Sequence, residues 1–187
     1  ALMHEGRAIN AVYSANSGGH TADSEDVWGY ELDYLRGVST ELEKTEFPLA
    51  PAKLRTWLRE VRASYSYNPD YTQLSHYRWQ REIPVDYLEG RLNMEKIKEL
   101  KVGARGRDGR VQWVEVVGDN RTRRLEGALR SQLGGLRNNR FWIQPQFENG
   151  ELASFLVYGS GWGHSVGMDQ VAAASMTEAG YNYKEIV

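Results

Sequence analysis

The chain has 187 residues, with 23 Lys and Arg against 25 Asp and Glu, and its formal net charge is −2. This charge argues against a general nucleic-acid binder, which is normally strongly basic. The sequence contains no apolar run long enough to span a membrane. Cysteine is absent, which excludes disulfides, thiol nucleophiles and thiolate metal sites. The length suits one domain, or one domain with a small lobe.

Aromatic and charged residues give the first functional indications. The chain has 11 Tyr and 6 Trp, side chains that join a flat apolar face to a polar tip and suit sugar rings and wet interfaces as well as cores. Residues 101–140 carry a net charge of +6, whereas 1–50 and 141–187 are net acidic. The basic stretch indicates either attraction of a polyanion or, as the favoured interpretation, a solvated face.

Apolar periodicity and turn residues predict the elements in chain order. In the N-terminal half they predict a β-like run over 9–14, a loop at 16–19, irregular chain or one helical turn over 31–38, a helix over 49–64, a strand over 77–83 and a short helix over 84–92. In the C-terminal half they predict a hairpin of 99–105 with 111–117, a helix over 123–133, a hairpin of 141–147 with 152–158, and a helix over 168–179. This mixture predicts an α+β fold with a mixed, mostly antiparallel sheet, hairpins and packed helices.

The segment from Ser17 to Trp28 has the composition of a binding loop. Its two consecutive glycines allow φ > 0 or a close approach of the backbone to a ligand, and its Ser, His, Thr, Asp and Glu side chains supply directed hydrogen bonds. Trp28 is suited to stack on the apolar face of a sugar. The alternative interpretation is a polar surface loop in which Asp23 or Ser24 caps a turn.

The segment from Gly159 to Met168 is a second candidate, because its glycines separate a predicted strand from a predicted helix. Backbone N–H groups at such a helix start can bind an anion or a carbonyl oxygen. The segment lacks the Lys-Ser or Lys-Thr pair of a phosphate loop and the spacing of a dinucleotide-binding loop. The alternative interpretation is tight packing of helix on strand, with His164 in a structural role.

Metal and nucleophile sites are less favoured. The four histidines are not spaced as i, i+4 pairs, so a structural zinc site is disfavoured; they are His4, His20, His76 and His164. A weak site formed in space by His20, His164 and Asp26 stays open. So does a Ser-His-Asp arrangement based on Ser17 or Ser24, although chance combinations of this kind occur in most sequences.

Together the two segments resemble the signatures of the stage II sporulation protein D family, which includes the amidase-enhancer proteins of bacterial cell walls. Ser17 to Trp28 is similar to the pattern Ser-Gly-Gly-x-Thr-x-x-Ser-Glu-x-Val-Trp. The second family signature is matched at Gly159, Gly161, Trp162, Gly163, His164, Val166, Gly167, Met168, Gln170 and Ala173. The resemblance implies a single domain of this type over 1–187, with 39–80 as a possible insertion or small lobe.

The sequence departs from the family pattern at several positions of the second signature. Ser160 stands for Arg, Ser165 for Gly, Asp169 for Ser, and Val171-Ala172 for Trp-Gly. Comparison with the family also leads us to expect that the family's N-terminal segment, with its proposed catalytic Glu, and its last aromatic segment lie outside this chain. The catalytic residue is therefore unknown.

The resemblance implies binding of peptidoglycan glycan strands in the bacterial cell envelope and, with the N-terminal segment, lytic transglycosylase cleavage of glycan stripped of stem peptides. The alternative is a non-catalytic peptidoglycan-binding modifier that stimulates a cell-wall amidase. No cofactor, metal or nucleic-acid partner is implied. The residues expected to contact the substrate are Ser17, Gly18, Gly19, His20, Ser24, Asp26, Trp28, His164 and Gln170.

Overall fold

The computed structural model describes residues 1–43 and 46–187. Short helices alternate with antiparallel hairpins in these residues, which confirms the predicted α+β class. From the N-terminus to the middle of the chain the elements are β1 (Met3–His4), β2 (Arg7–Ala8), β3 (Tyr13–Ser14), α1 (Ser24–Trp28), α2 (Pro51–Trp57), α3 (Leu74–Tyr77), β4 (Arg78–Pro84) and α4 (Val85–Leu92). The remaining elements are β5 (Glu99–Arg105), β6 (Val111–Val117), β7 (Thr122–Glu126), α5 (Leu129–Gln132), β8 (Phe141–Glu148), β9 (Glu151–Ser160), β10 (Met168–Asp169), α6 (Gln170–Glu178) and α7 (Tyr183–Ile186).

The chain forms two compact units. The first unit contains Ala1–Phe47, Val61–Tyr77 and Ser160–Val187, and the second contains Pro48–Glu60 and Arg78–Gly159. The range 39–80 is shared between the two units, and its origin as an insertion stays a prediction. Residues 44–45 of that range lie outside the described residues.

The second unit is built on two three-stranded sheets, with strand orders β4-β9-β8 and β5-β6-β7. Alternate side chains of β6 face the core at Val114 and Val116, following the two-residue period of a strand. Val114 and Val116 of β6 are fully buried, and Leu88 of α4 is buried in the same cluster. This apolar core is what holds the second unit together.

Both predicted hairpins are confirmed. Strands β5 and β6 pair antiparallel across the Asp108-Gly109 turn, and β8 and β9 pair antiparallel across Asn149-Gly150. Asn149 and Gly150 both have positive φ angles, 51° and 87°, as a tight type I′ hairpin turn requires. The strand predicted over 77–83 and the helix predicted over 84–92 are also found, as β4 and α4, and the irregular stretch 31–38 is confirmed.

The predicted helix over 123–133 is wrong in its first part. Residues Thr122–Glu126 form strand β7, in which Leu125 lies opposite Val114 of β6; only Leu129–Gln132 is helical. Leu125 and Leu129 are buried as expected, but they reach the core from a strand and a helical turn. Pairing with β6 overrides the local helical spacing, because tertiary packing outweighs intrinsic propensity.

Three other boundaries differ from the prediction. The helix expected over 49–64 ends at Trp57, and Val61 beyond it is 52% exposed. The helix expected over 168–179 begins only at Gln170, because residues Met168–Asp169 pair with β3 as a strand. The β-like run over 9–14 is reduced to the two residues of β3.

The first unit has little regular structure. Strands β1 and β2 form a small antiparallel pair, and β3 pairs in parallel with β10. A small cluster of Ala22, Leu35 and Val166 forms its apolar core. Among the described residues, no helix of either unit combines the length and the apolar character needed to cross a membrane.

Candidate functional site

The candidate site lies in the first unit, where one loop follows strand β3 and another loop precedes strand β10. Asp169 of β10 lies opposite Ser14 of β3. The first loop (residues 15–23) follows β3 and leads into α1, and the second loop (residues 161–167) leads into β10. Hydrogen bonds between the two loops bring together segments that are far apart in sequence.

The two loops are bonded to each other along their length. Asn16 and Trp162 exchange backbone hydrogen bonds, with N–O distances of 3.1 and 2.8 Å. Further along, the N–H of Ala22 donates to the carbonyl oxygen of Ser165 at 2.8 Å. These bonds place the two signature segments side by side.

Gly18 marks the closest approach of the two loops. Its φ is +71°, and a Cβ placed on it would lie 2.5 Å from the backbone nitrogen of Gly161. A side chain at this position would strain the backbone and collide with the second loop. A glycine is therefore required here because the two loops touch. The sequence instead predicts that Gly18 contacts a ligand.

A buried polar network fixes the base of the first loop. The Asp169 carboxylate accepts from the N–H of Ser17 and from Oγ of Ser66, both at 2.6 Å, and from the N–H of Ala172 at 3.0 Å. The Ser66 hydroxyl lies 2.6 Å from Oγ1 of Thr40. Asp169 is 4% exposed, so one buried carboxylate caps α6 and also holds the loop.

Helix α1 is held in place by contacts from the segment that follows it. Both oxygens of Glu25 accept from Arg36, at 2.9 and 2.6 Å, in the bidentate geometry that guanidinium and carboxylate favour. The Ser24 hydroxyl accepts from the N–H of Leu32 at 2.8 Å. The N-cap residue Asp23 accepts from the N–H of Gly37 at 2.7 Å and makes no side-chain cap bond.

Two rings, one from each signature segment, lie in contact. Trp28 is the last residue of α1, and its ring lies 5.6 Å from the His164 ring at an angle of 53°. Tyr30 stacks beside Trp28 at 6.0 Å. Trp28 and His164 are both half-buried, so parts of both rings reach solvent. We call Trp28, Tyr30 and His164 the ring surface.

The hydrogen bonds assign different tautomers to the two loop histidines. Nδ1 of His164 accepts from the N–H of Val166 at 3.1 Å, so in the neutral ring the proton is on Nε2. In His20 the Nδ1 atom lies 2.7 Å from the carbonyl oxygen of Thr21 and must therefore donate. The His20 ring packs on Phe47, with centroids 4.9 Å apart.

The nine expected site residues do not all reach the surface. Four of them are buried, namely Ser17, Gly18, Gly19 and Ser24. Ser17 bonds Asp169, and Ser24 bonds the backbone of Leu32. Asp26 lies on α1 in a half-buried position, and Gln170 is exposed at the start of α6. The structure brings Trp28 and His164 together and gives the buried group the role of supporting them.

Two features of the site carried no sequence signal. Ser66 belongs to a segment that matches neither signature, yet it links Asp169 to the first loop. His76 packs edge-on against Trp162 at 4.3 Å, although the two residues are far apart in the chain. Such pairs depend on tertiary contacts, so residue spacing alone does not reveal them.

The basic stretch of the second unit has structural partners for many of its arginines. Arg121 and Arg123 donate to the carbonyl oxygens of Asn93 and Leu92, which end α4. Arg124 pairs with Glu126 at 2.8 Å. These contacts favour the interpretation as a solvated face over that of a polyanion site. Across residues 1–43 and 46–187, no group of three or more His, Asp or Glu side chains is arranged to hold a metal ion.

Comparison with known proteins places the chain in a family. An uncharacterized protein of Brachyspira hyodysenteriae (strain ATCC 49526 / WA1) is 25% identical over 186 residues, which are 99% of this chain and 42% of the relative. The chain therefore spans less than half the length of this relative. A family model described as "Domain of unknown function (DUF8618)" matches residues 22–167, from the first loop to the end of the second. The chain belongs to this DUF8618 family.

Proposed function

We propose that the first unit binds the glycan strands of bacterial peptidoglycan at the ring surface. The observation that carries the proposal is the contact of the Trp28 and His164 rings, 5.6 Å apart and contributed by two separate loops. The resemblance of those loops to the stage II sporulation protein D signatures supports the same ligand. The location that follows from this proposal is the cell envelope.

The chemistry of the ring surface matches that of an amino sugar. A pyranose ring has an apolar face that stacks on an indole, and its hydroxyl and acetamido groups need directed hydrogen bonds. Trp28 and Tyr30 supply adjacent aromatic faces. The imidazole of His164 and the carboxylate of Asp26 supply polar groups from the second loop and from α1.

The structure beneath the ring surface favours binding because it is already ordered. Backbone bonds join the loops at Asn16 with Trp162 and at Ala22 with Ser165, and Asp169 fixes the base of the first loop. A site held in its bound conformation pays less ordering entropy when the ligand arrives. The glycan would meet fixed rings and fixed loop backbone.

We further propose that glycan binding serves cleavage of the strand by a lytic transglycosylase. A lytic transglycosylase needs a carboxylic acid to protonate the glycosidic oxygen, and the 6-hydroxyl of the sugar then closes an anhydro ring. Glu25 is bound through both oxygens by Arg36 and supports the loop. We assign the acid to the N-terminal segment of the stage II sporulation protein D family, and to the residues of this chain we assign positioning of the strand.

The test is co-sedimentation of the chain with purified peptidoglycan, either intact or stripped of stem peptides by an amidase. We expect the wild-type chain to sediment with stripped glycan. Trp28→Ala should weaken glycan affinity at least tenfold, because losing the apolar area that a large side chain buries against a ligand costs about 1.5–3 kcal/mol. Tyr183→Ala is the matched control, because Tyr183 is 67% exposed on α7 in the same unit.

Equal sedimentation of wild type and Trp28→Ala would contradict the proposal. The soluble fraction is also assayed for anhydro-sugar products and for stimulation of an added amidase. Anhydro products formed by a form of the protein that carries the family's N-terminal segment would support the transglycosylase. Amidase stimulation without such products would favour the modifier over the enzyme.

A further inference from the structure

A pocket in the second unit has the composition of a carboxylate-binding site. It has a volume of about 350 Å³, within the range of roughly 300–1,000 Å³ that is typical of small-molecule sites. The end of β5, the start of β8 and the first turn of α2 enclose it. Its apolar walls include Pro51, Val102, Trp142 and Ile143, and Arg105 is the charged residue among its lining side chains.

Arg105 is a cation without a partner carboxylate. Its Nη1 atom donates to the carbonyl oxygen of Gly109 at 2.8 Å, and its guanidinium lies 5.2 Å from the centre of the Trp142 ring. Within the part of the chain that the structure describes, Arg105 forms no ion pair and its Nε and Nη2 atoms have no protein acceptor. Two donors of a planar fork are therefore available to a ligand.

The nearby carboxylate is already neutralised by other arginines. Asp108 accepts from Arg140 at 2.7 Å and lies 3.8 Å from Arg110. All three of these side chains are less than 5% exposed. The Asp108 carboxylate is thus bound by Arg140 and lies near Arg110, and in the described residues no ion pair joins it to Arg105.

The electrostatic state of Arg105 agrees with this geometry. Burial lowers the pKa of Arg105 to about 10, against the opposing effects of Asp108 and Tyr158. The side chain is still charged at neutral pH, but it has lost part of its hydration. A partly dehydrated cation gains more from an incoming anion than a fully hydrated one does.

We propose that this pocket binds an organic carboxylate whose apolar part lies against Trp142. The carboxylate would take the two available donors of Arg105 in the bidentate geometry that a guanidinium favours. The aliphatic walls fit methyl or methylene groups next to the acid. Every residue of this site belongs to the second unit, so the inference does not depend on glycan binding at the ring surface.

The test is an NMR titration of the whole chain, observing the indole N–H of Trp142, which is assigned with Trp142→Phe. The probes are N-acetylmuramic acid, a sugar acid, and N-acetyl-D-alanyl-D-alanine, a peptide acid. Their uncharged counterparts are N-acetylglucosamine and the peptide amide. We expect at least one acid to shift the Trp142 signal saturably and to bind at least tenfold more tightly than its uncharged counterpart. The acid that binds shows whether the carboxylate belongs to a sugar or to a peptide.

Two variants test whether Arg105 supplies the positive charge that binds the acid. Arg105→Gln should weaken binding of the acid at least tenfold, because the neutral amide cannot form the paired charge-assisted bonds that a guanidinium donates to a carboxylate. Arg124→Gln should change it less than twofold; Arg124 also lies over an indole ring, 4.4 Å from Trp113, but it has Glu126 as its partner. This pair separates the loss of a carboxylate contact from a general loss of charge.

The proposal is overturned if neither acid binds more tightly than its uncharged counterpart in the wild-type chain. Unchanged affinity in a folded Arg105→Gln variant would also overturn it. Because the comparison of acid with neutral probe uses only the wild type, the test still decides if the variant fails to fold. A shift confined to the Trp28 indole would place the acid at the ring surface and contradict this site.

Discussion

At the scale of single residues, Gly18 controls the contact between the two loops. Its positive φ already costs a side chain about 1–2 kcal/mol, and its Cβ would lie 2.5 Å from the Gly161 nitrogen. Relief of such a contact typically costs a further 1–3 kcal/mol or so. We expect Gly18→Ala to lower the free energy of unfolding by roughly 2–5 kcal/mol, measured by urea denaturation.

The matched control for this variant is Gly6→Ala. Gly6 also has a positive φ, +75°, but nothing lies within 4 Å of its added Cβ. Its cost should therefore be confined to backbone strain, about 1–2 kcal/mol. Equal costs for the two variants would show that the loops do not need the close approach at Gly18.

Asp26 is the carboxylate of α1 that we assign to the ligand. It lies two residues before Trp28 in the same helix. We expect Asp26→Asn to leave the melting temperature within a few degrees and to weaken glycan binding about tenfold or more, roughly 1.4 kcal/mol. Calorimetry of the folded variant with stripped glycan measures both quantities, and Asp33→Asn, an exposed change in the same unit, is the control. Unchanged glycan affinity would assign Asp26 to the scaffold.

At the scale of elements, Asp169 connects a strand, a helix and a loop. It caps α6 through Ala172 and bonds Ser17 and Ser66 at the same time. Asp169→Ala removes a cap, worth about 0.5–2 kcal/mol, and leaves buried donors unpaired, at about 1–3 kcal/mol. We expect a loss of roughly 2–4 kcal/mol in denaturant unfolding, together with weaker glycan binding.

The control for Asp169→Ala is the loss of a helix cap at the protein surface. Asn182 accepts from the N–H of Lys184 at the start of α7, in an exposed position. Asn182→Ala should cost only about 1 kcal/mol and leave binding unchanged. A similar cost for both variants would mean that the buried network adds nothing beyond the helix cap.

The elements that the sequence predicts well are those defined by local signals. Asp108-Gly109 and Asn149-Gly150 specify tight turns, and both hairpins form around them. The region 123–133 shows the limit of local signals, because leucines four residues apart suit a helix and also occur where a strand meets a helical turn. Only the pairing of Leu125 with Val114 across β6 and β7 decides the outcome.

The candidate site was partly accessible to the same reasoning. The glycines and aromatic residues of the two loops mark the site in the sequence, and the structure brings Trp28 and His164 together. The sequence does not separate residues that face solvent from those that support them, because Ser17 and Trp28 look equally suitable as ligand contacts. That distinction depends on burial, and Ser17 is 0% exposed.

At the scale of the whole molecule, charge is balanced inside the chain. The net charge is −2, and arginines of the basic stretch bind backbone carbonyl oxygens or carboxylates. We expect affinity for duplex DNA weaker than about 10⁻⁴ M at physiological salt, the weak end of non-specific binding. Fluorescence anisotropy with a labelled duplex measures this, and micromolar affinity that falls steeply with salt would contradict it.

The central claim is that glycan binds at the ring surface of the first unit. The most direct measurement is an NMR titration of the wild-type chain with a short oligomer of stripped peptidoglycan glycan. It follows the Trp28 indole, the His164 ring and, as a reference in the second unit, the Trp113 indole beneath Arg124. We predict saturable shifts of Trp28 and His164 with one common affinity and no shift of Trp113; unchanged Trp28 and His164 signals at saturating glycan would contradict the account.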